Sequence, residues 1–209
     1  MSASRAELIV FDLGGVLVDV AAGWAEACTR AGVPLPAALS DPATRQAIQR
    51  VYKAAEVGQL DADAFLAQAA QLAQISREDM HRVSSAFLCG ALPGAAALLD
   101  ELRAAGAVCA CLSNTMEHHW RLLTQPGGFC GLSLHALPHR FASHEIGAAK
   151  PDADAYQHVE RVTGFSGACV TFFDDRAENC EAAQRCGWRA TRIDPDRAPI
   201  AQIRAALAR

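Results

Sequence analysis

The sequence has little that would support binding to nucleic acids, membranes or zinc. Its 19 Lys and Arg residues are outnumbered by 23 Asp and Glu residues, so the chain has no basic excess to attract a phosphate backbone. No apolar run approaches the roughly 20 residues that span a bilayer, and the amino terminus lacks the pattern of a secretion signal. The eight cysteines form no C-x-x-C pair and no cluster with histidines at zinc spacing. We therefore expect a cytoplasmic protein with reduced cysteines, no nucleic-acid partner and no membrane association.

Short apolar runs alternate with helical patterns along most of the chain. With 209 residues, 51% of them hydrophobic, the chain can bury a substantial core. The alternation predicts an α/β fold with a doubly wound, Rossmann-like parallel sheet. Predicted buried strands lie at residues 8–11, 107–112, 169–173 and 189–193, and predicted helices at residues 94–105, 153–162, 177–186 and 199–208.

Residues 20–89 depart from this alternation, because they contain no convincing strand and several helical patterns, including residues 42–56 and 62–73. We predict that this segment is a small all-helical cap, inserted after the first strand over the carboxyl edge of the sheet. Residues 1–19 and 90–209 would then form the core. Trp24 and Tyr52 could line a substrate pocket in the cap, although packing between amphipathic helices is the simpler interpretation.

Reactive side chains follow the predicted strands, where ligands bind in an open α/β sheet. A nucleophilic carboxylate, a hydroxyl, an amide, an ammonium group and a carboxylate pair together suit phosphoryl transfer. The carboxylate can attack phosphorus, while the hydroxyl and the ammonium group stabilise the charged oxygens. The residues are Asp12 after the first strand, Ser113 and Asn114 after the second, Asp174 and Asp175 after the third, and Lys150 before the third.

Three aspartates at one site call for a cation. Like charges a few ångströms apart disfavour ionisation, and a phosphate would add to the repulsion. Oxygen ligands suit Mg²⁺, which also bridges to substrate phosphate. The residues therefore predict Mg²⁺ as cofactor and a small phosphate ester as substrate.

These motifs resemble those of the haloacid dehalogenase superfamily, whose members are mostly aspartate-dependent phosphatases. The resemblance is carried by DLGGVLVD at residues 12–19, LSNT at 112–115, Lys150-Pro151, and FFDDRAEN at 172–179. Their form is most similar to bacterial sugar-phosphate phosphatases of the α-glucose-1-phosphatase type and to the amino-terminal phosphatase domain of soluble epoxide hydrolases.

The resemblance implies a role for each matched residue. Asp12 would be the nucleophile and a metal ligand, and the backbone carbonyl of Gly14 a second ligand. Asp175 would be the main distal ligand, with Asp174 either on the metal or directly behind it. Ser113 and Asn114 would contact phosphate, and Lys150 would neutralise both phosphate and Asp12.

Gly14 stands where the family normally has a second aspartate, which protonates the leaving oxygen and then activates water. Losing a general acid or base costs about 10²- to 10⁴-fold in rate. We expect a preference for substrates with acidic leaving groups, such as anomeric sugar, acyl or aryl phosphates. A replacement could come from the cap or from Asp19, for which a turn or helix-start position is the simpler interpretation. Two alternatives stay open: a metal-independent 2-haloacid dehalogenase, and a weakened phosphate-binding regulatory protein.

Overall fold

The computed structural model of the chain describes residues 7–208 and contains a five-stranded parallel sheet flanked by helices. Its strands are β1 (Leu8–Phe11), β2 (Val18–Val20), β3 (Leu88–Ala91), β4 (Val108–Ser113), β5 (His139–Ala142), β6 (Val170–Asp174) and β7 (Arg189–Arg192). Its helices are α1 (Trp24–Ala31), α2 (Pro42–Glu56), α3 (Ala62–Ala73), α4 (Arg77–Ala86), α5 (Ala95–Ala104), α6 (Glu117–Leu123), α7 (Ser143–Ile146), α8 (Ala153–Thr163), α9 (Ala177–Arg185) and α10 (Pro199–Leu207). Short 3₁₀ turns lie at Ala37–Ser40, Leu134–Ala136 and Gly167–Cys169.

The parallel sheet has the strand order β5-β4-β1-β6-β7, which places β1 at its centre. All four predicted strands are present within one residue of their predicted bounds. The edge strand β5 was not predicted, because His139 and Arg140 interrupt the apolar character that marks a buried strand.

Helices cover both faces of the sheet. Ile9 and Phe11 of β1 pack on the face covered by α5 and α10, whereas Leu8 and Val10 pack on the face covered by α8 and α9. This alternation follows from the two-residue period of a strand, and both sides of β1 are apolar because both are buried. The predicted doubly wound α/β fold is confirmed.

Four helices, α1 to α4, occupy most of residues 20–89, and we call them the four-helix segment. Helices α2 and α3 have the predicted bounds. Three side chains cap the amino termini of these helices: Asp41 accepts from Ala43 N–H, Asp61 from Ala64 N–H, and Ser76 from Asp79 N–H. An apolar cluster of their own, which includes Ile48, Phe65 and Met80, holds the helices together.

The expectation that residues 20–89 contain no strand is wrong at both ends. Val20 ends β2 and Leu88 begins β3, and these two strands form an antiparallel pair next to the four-helix segment. The pair was not recognised because β2 has three residues and β3 contains Gly90, which has a positive φ of 149°.

The composition predicted that the chain has no membrane-spanning helix and that its cysteines are reduced. No helix in residues 7–208 is both long and apolar enough to cross a bilayer. All eight cysteines are free thiols; Cys28, Cys109, Cys111 and Cys180 are buried, whereas Cys130 is exposed.

Candidate active site

Three adjacent strands bring the predicted reactive residues to one edge of the sheet. Asp12 follows β1, and its N–H donates to the carbonyl of Phe173 over 2.8 Å. Ser113 is the last residue of β4 and Asp174 the last residue of β6. Because β1 lies between β4 and β6, these ends are neighbours in space.

Lys150 lies between two of these carboxylates. Its Nζ is 2.9 Å from Asp12 Oδ1 and 2.7 Å from Asp174 Oδ2, and only 3% of the residue is exposed. Burial lowers the pKa of this ammonium group, but Asp12 and Asp174 outweigh burial and hold the pKa above its ordinary value. Lys150 is therefore a permanently charged partner of Asp12, as the resemblance implies.

Asp174 is fully buried, and its two carboxylate oxygens already have protein donors. Asn179 Nδ2 donates to Oδ1 and Oδ2 over 2.9 and 3.1 Å, and the N–H of Arg176 donates to Oδ1 over 2.9 Å. Together with Lys150, these contacts make Asp174 an anchor for the lysine. The side chain of Asn179, at the start of α9, is thus paired with Asp174.

The side chain of Asn114 holds the backbone of Lys150. Asn114 Nδ2 donates to Lys150 O over 2.7 Å, and Lys150 N–H donates to Asn114 Oδ1 over 2.8 Å. Both polar atoms of the amide are thus engaged with the backbone of Lys150, and one N–H of Nδ2 is left for another acceptor. Ser113 is buried next to it at the end of β4, with 5% of its surface exposed.

Asp12, Asp174 and Asp175 form an acidic cluster in which one oxygen from each lies within 4.8 Å of the others. Burial raises the pKa of Asp12 to about 7, against the lowering effect of Lys150. Burial and the neighbouring Asp174 raise the pKa of Asp175. These carboxylates fit Mg²⁺, because all the donors are oxygen and a cation would relieve both desolvation and repulsion.

Two glycines shape the loop beside this cluster. Gly15 has φ +70°, and a Cβ there would lie 3.1 Å from Asp175 Oδ2, so only glycine allows this approach. At Gly14 a Cβ would meet nothing closer than Val20 Cγ1 at 3.6 Å, an ordinary contact. Asp19 is exposed in β2, opposite Gly90, so its expected position at a turn or helix start is wrong.

Hydrogen bonds and close packing at Ser143 and Gly58 join the four-helix segment to the strand ends. Ser143 Oγ donates to Glu56 O over 2.6 Å and accepts from Thr115 N–H over 2.9 Å. Gly58 packs so closely on His144 that a Cβ would lie 2.3 Å from its carbonyl oxygen. The contact between Gly58 and His144 has no signature in the sequence.

Comparison with known proteins gives one family match. The family described as haloacid dehalogenase-like hydrolase matches residues 6–187. A protein of Mycobacterium tuberculosis (strain CDC 1551 / Oshkosh) that is named a phosphatase is 32% identical over 130 residues, which is 62% of this chain and 58% of that protein. The chain therefore matches less than two thirds of the length of this relative.

Solved structures share the fold at low sequence identity. An enzyme of the HAD family from Bacteroides thetaiotaomicron has a TM-score of 0.81 at 18% identity, covering 95% of this chain and 98% of that one. Its complex with magnesium and inorganic phosphate has a TM-score of 0.74 at 19% identity, covering 91% and 96%. The L-2-haloacid dehalogenase of Xanthobacter autotrophicus, with chloropropionic acid covalently bound, has a TM-score of 0.64 at 21% identity, covering 90% and 78%.

Proposed function

Because the chain belongs to the haloacid dehalogenase-like hydrolase family, we propose that it is a Mg²⁺-dependent phosphatase that hydrolyses a small phosphorylated metabolite through an aspartyl phosphate. The observation that carries the proposal is Asp12, a buried carboxylate paired with the Lys150 ammonium beside two further aspartates. A metal-independent dehalogenase would gain nothing from that acidic cluster. The subgroup of sugar-phosphate phosphatases stays a prediction.

Asp12 is held so that one of its oxygens can attack. Oδ1 accepts from the N–H of Leu13 over 2.7 Å and from Lys150 Nζ over 2.9 Å, which leaves Oδ2 as the nucleophile. In the first step the Asp12–phosphorus bond forms and the bond from phosphorus to the leaving oxygen breaks. In the second step water attacks phosphorus, releases inorganic phosphate and regenerates the carboxylate. Lys150 and the hydroxyl of Ser113 stabilise the phosphoryl oxygens in both steps.

The metal-binding residues are Asp12, Asp175 and the carbonyl of Gly14, with Asp174 behind them. We assign Asp174 the indirect role because its oxygens already accept from Lys150, Asn179 and Arg176. A bound Mg²⁺ would supply positive charge that offsets the repulsion between the carboxylates and the phosphate.

The domain arrangement that accompanies this function is a core of residues 1–19 and 90–209 with a cap of residues 20–89. The four-helix segment has an apolar cluster of its own, and Met116, three residues after Ser113, packs into it. The segment thus lies next to the strand end that carries the phosphate-binding hydroxyl, where a cap would select the substrate.

Phosphate release from a panel of phosphate esters, measured with Mg²⁺ and with EDTA, tests this proposal. We expect turnover that requires Mg²⁺ and falls by more than about 10³-fold in Asp12→Asn, since that variant lacks the nucleophile. Asp100→Asn, the same chemical change in an exposed ion pair of α5, is the matched control and should keep full activity.

Three results would contradict the proposal. Unchanged activity in Asp12→Asn would exclude this nucleophile. Release of halide from 2-haloacids in EDTA would indicate a dehalogenase. Binding of Mg²⁺ and phosphate without turnover of any ester would indicate a phosphate-binding protein.

A further inference from the structure

A cavity of about 210 Å³ lies within the four-helix segment. Four of its nine lining residues are aromatic: Trp24 and Phe87 pack edge to face with centroids 5.2 Å apart, and Tyr52 and Phe65 do so at 6.0 Å. An engineered apolar cavity of about 150 Å³ in another protein binds benzene. The cavity therefore has room for one substituted ring.

The cavity lies close to the nucleophile. Tyr52 is 6.4 Å from the ring of His119, which belongs to α6, the helix that follows the LSNT motif. Ile48 and Phe65 of the lining also pack in one apolar cluster with Met116, three residues after Ser113, so the cavity lies next to the strand end that carries Ser113.

Two of the four polar side chains of the lining are committed to the protein. Ser84 Oγ lies 3.3 Å from His119 Nε2, and Arg45 Nη1 donates to Leu39 O over 2.6 Å. A sugar would bury several hydroxyls here with few partners, at about 1–3 kcal/mol for each unsatisfied group. A planar ring would instead add favourable edge-to-face contacts.

The absence of a carboxylate at Gly14 independently points to the same class of leaving group. A phenol has a pKa of about 10, so a phenolate departs without a general acid. An aliphatic alcohol is far less acidic, with a pKa closer to that of water at about 16, and needs the missing proton donor.

We propose that the substrate is the phosphate monoester of a single-ring phenol, whose ring occupies this cavity while its phosphate lies at Asp12. The inference rests on the proposed phosphatase function and specifies its substrate class. Two separate features support it, the aromatic lining and the missing acid.

Two measurements test the proposal, one of turnover and one of binding. In turnover, phenyl phosphate should exceed propyl phosphate and glucose 1-phosphate in kcat/KM by at least about 100-fold. In binding, calorimetry on Asp12→Asn with Mg²⁺ should give benzylphosphonate an affinity at least about tenfold above that of propylphosphonate. The binding measurement does not depend on leaving-group acidity.

Variants of the lining locate the ring. Phe65→Leu should remove most of the preference for benzylphosphonate, and Gln49→Trp, which fills the cavity from its exposed rim, should do the same without removing a buried side chain. Phe165→Leu, on the far face of the sheet, is the matched control and should keep the preference. Thermal unfolding shows whether each variant is folded.

The outcomes separate this inference from the phosphatase function. Equal kcat/KM for phenyl phosphate and glucose 1-phosphate, or equal affinities for the two phosphonates, would overturn the inference and leave the phosphatase intact. Failure to hydrolyse any ester would contradict the phosphatase, and a retained preference for benzylphosphonate would still place an aromatic ligand in the cavity. A preference that survives in both Phe65→Leu and Gln49→Trp would exclude this cavity as its site.

Discussion

At residue 14 the backbone can accept the carboxylate that the family usually has. Gly14 has no positive φ, and a Cβ would lie 3.6 Å from Val20 Cγ1. We predict that Gly14→Asp raises kcat/KM for alkyl phosphates by about 10²-fold. The same substitution should change kcat/KM for aryl phosphates much less, because only poor leaving groups need a proton donor. Steady-state kinetics on propyl and phenyl phosphate would measure the two ratios.

Alanine substitutions at residues 14 and 15 show whether the gain in kcat/KM comes from the added carboxylate. Gly14→Ala adds the Cβ alone and should leave both ratios unchanged. Gly15→Ala should instead lower all activities, because φ is +70° there and the Cβ would lie 3.1 Å from Asp175 Oδ2. An equal gain for alkyl and aryl substrates in Gly14→Asp would contradict the assignment of a general acid.

Single residues of the site were predictable where chemistry and position after a strand coincide. Asp12 and Lys150 were predicted to pair, and their charged atoms are 2.9 Å apart. Asn114 was assigned to phosphate, yet its amide binds the backbone of Lys150. Sequence gives the type of a polar side chain but not its partner, because several groups within reach can satisfy the same amide.

At the scale of elements, the connection between α2 and α3 sets the position of the four-helix segment. Gly58 has φ +72°, and a Cβ there would lie 2.3 Å from the carbonyl oxygen of His144, a residue of α7. We predict that Gly58→Ala lowers the free energy of unfolding by about 3 kcal/mol or more, because backbone strain of about 1–2 kcal/mol adds to a clash that must move α2 or α7. Urea denaturation would measure the loss.

Gly147→Ala is the matched control for this clash. Gly147 has φ +77° but no heavy atom within 4 Å of a Cβ, so its substitution carries backbone strain alone. Equal losses of unfolding free energy in Gly58→Ala and Gly147→Ala would show that the clash with His144 adds nothing to the backbone strain.

Elements were predictable where their apolar pattern was long enough to have a period. The predicted bounds of α2 and α3 agree with the structure, since each helix has at least three turns and a capping aspartate. Strands β2, β3 and β5 were not predicted, although their short length and their polar or glycine positions do not set them apart, since the predicted strand β7 also has four residues and contains Arg189 and Arg192. Their existence depends on the partner strand rather than on their own sequence.

At the scale of the whole molecule, the α/β fold followed from the alternation of apolar runs and helical patterns, and the family from four motifs in order. The residues that join the four-helix segment to the sheet were not predicted. Part of this contact is made by adjacent histidines of α6. His119 Nε2–H donates to Ser84 O over 2.9 Å, and His118 Nε2 is 2.9 Å from Ser85 Oγ. Both histidines are buried between α6 and α4.

This buried contact predicts how stability depends on pH. Burial lowers the pKa of both His118 and His119 from 6.5 to about 4, and His81 beside His118 adds to the shift of the latter. Between pH 6.5 and pH 4 the unfolded chain binds more protons than the folded one, so stability falls as the pH falls through this window. Each histidine lowers the free energy of unfolding by up to roughly 3 kcal/mol across this window, since one pKa unit corresponds to about 1.4 kcal/mol.

Replacing one histidine by a neutral side chain isolates this effect. We predict that His119→Gln, whose amide can still donate to Ser84 O, loses less stability than the parent between pH 6.5 and pH 4. Urea denaturation at several pH values measures the difference, and the contribution of Asp12, which runs in the opposite direction, cancels in the comparison. His135→Gln, an exposed position, should retain the slope of the parent chain. If His119→Gln retained that slope as well, the acid sensitivity would have to arise elsewhere than in the contact between α4 and α6.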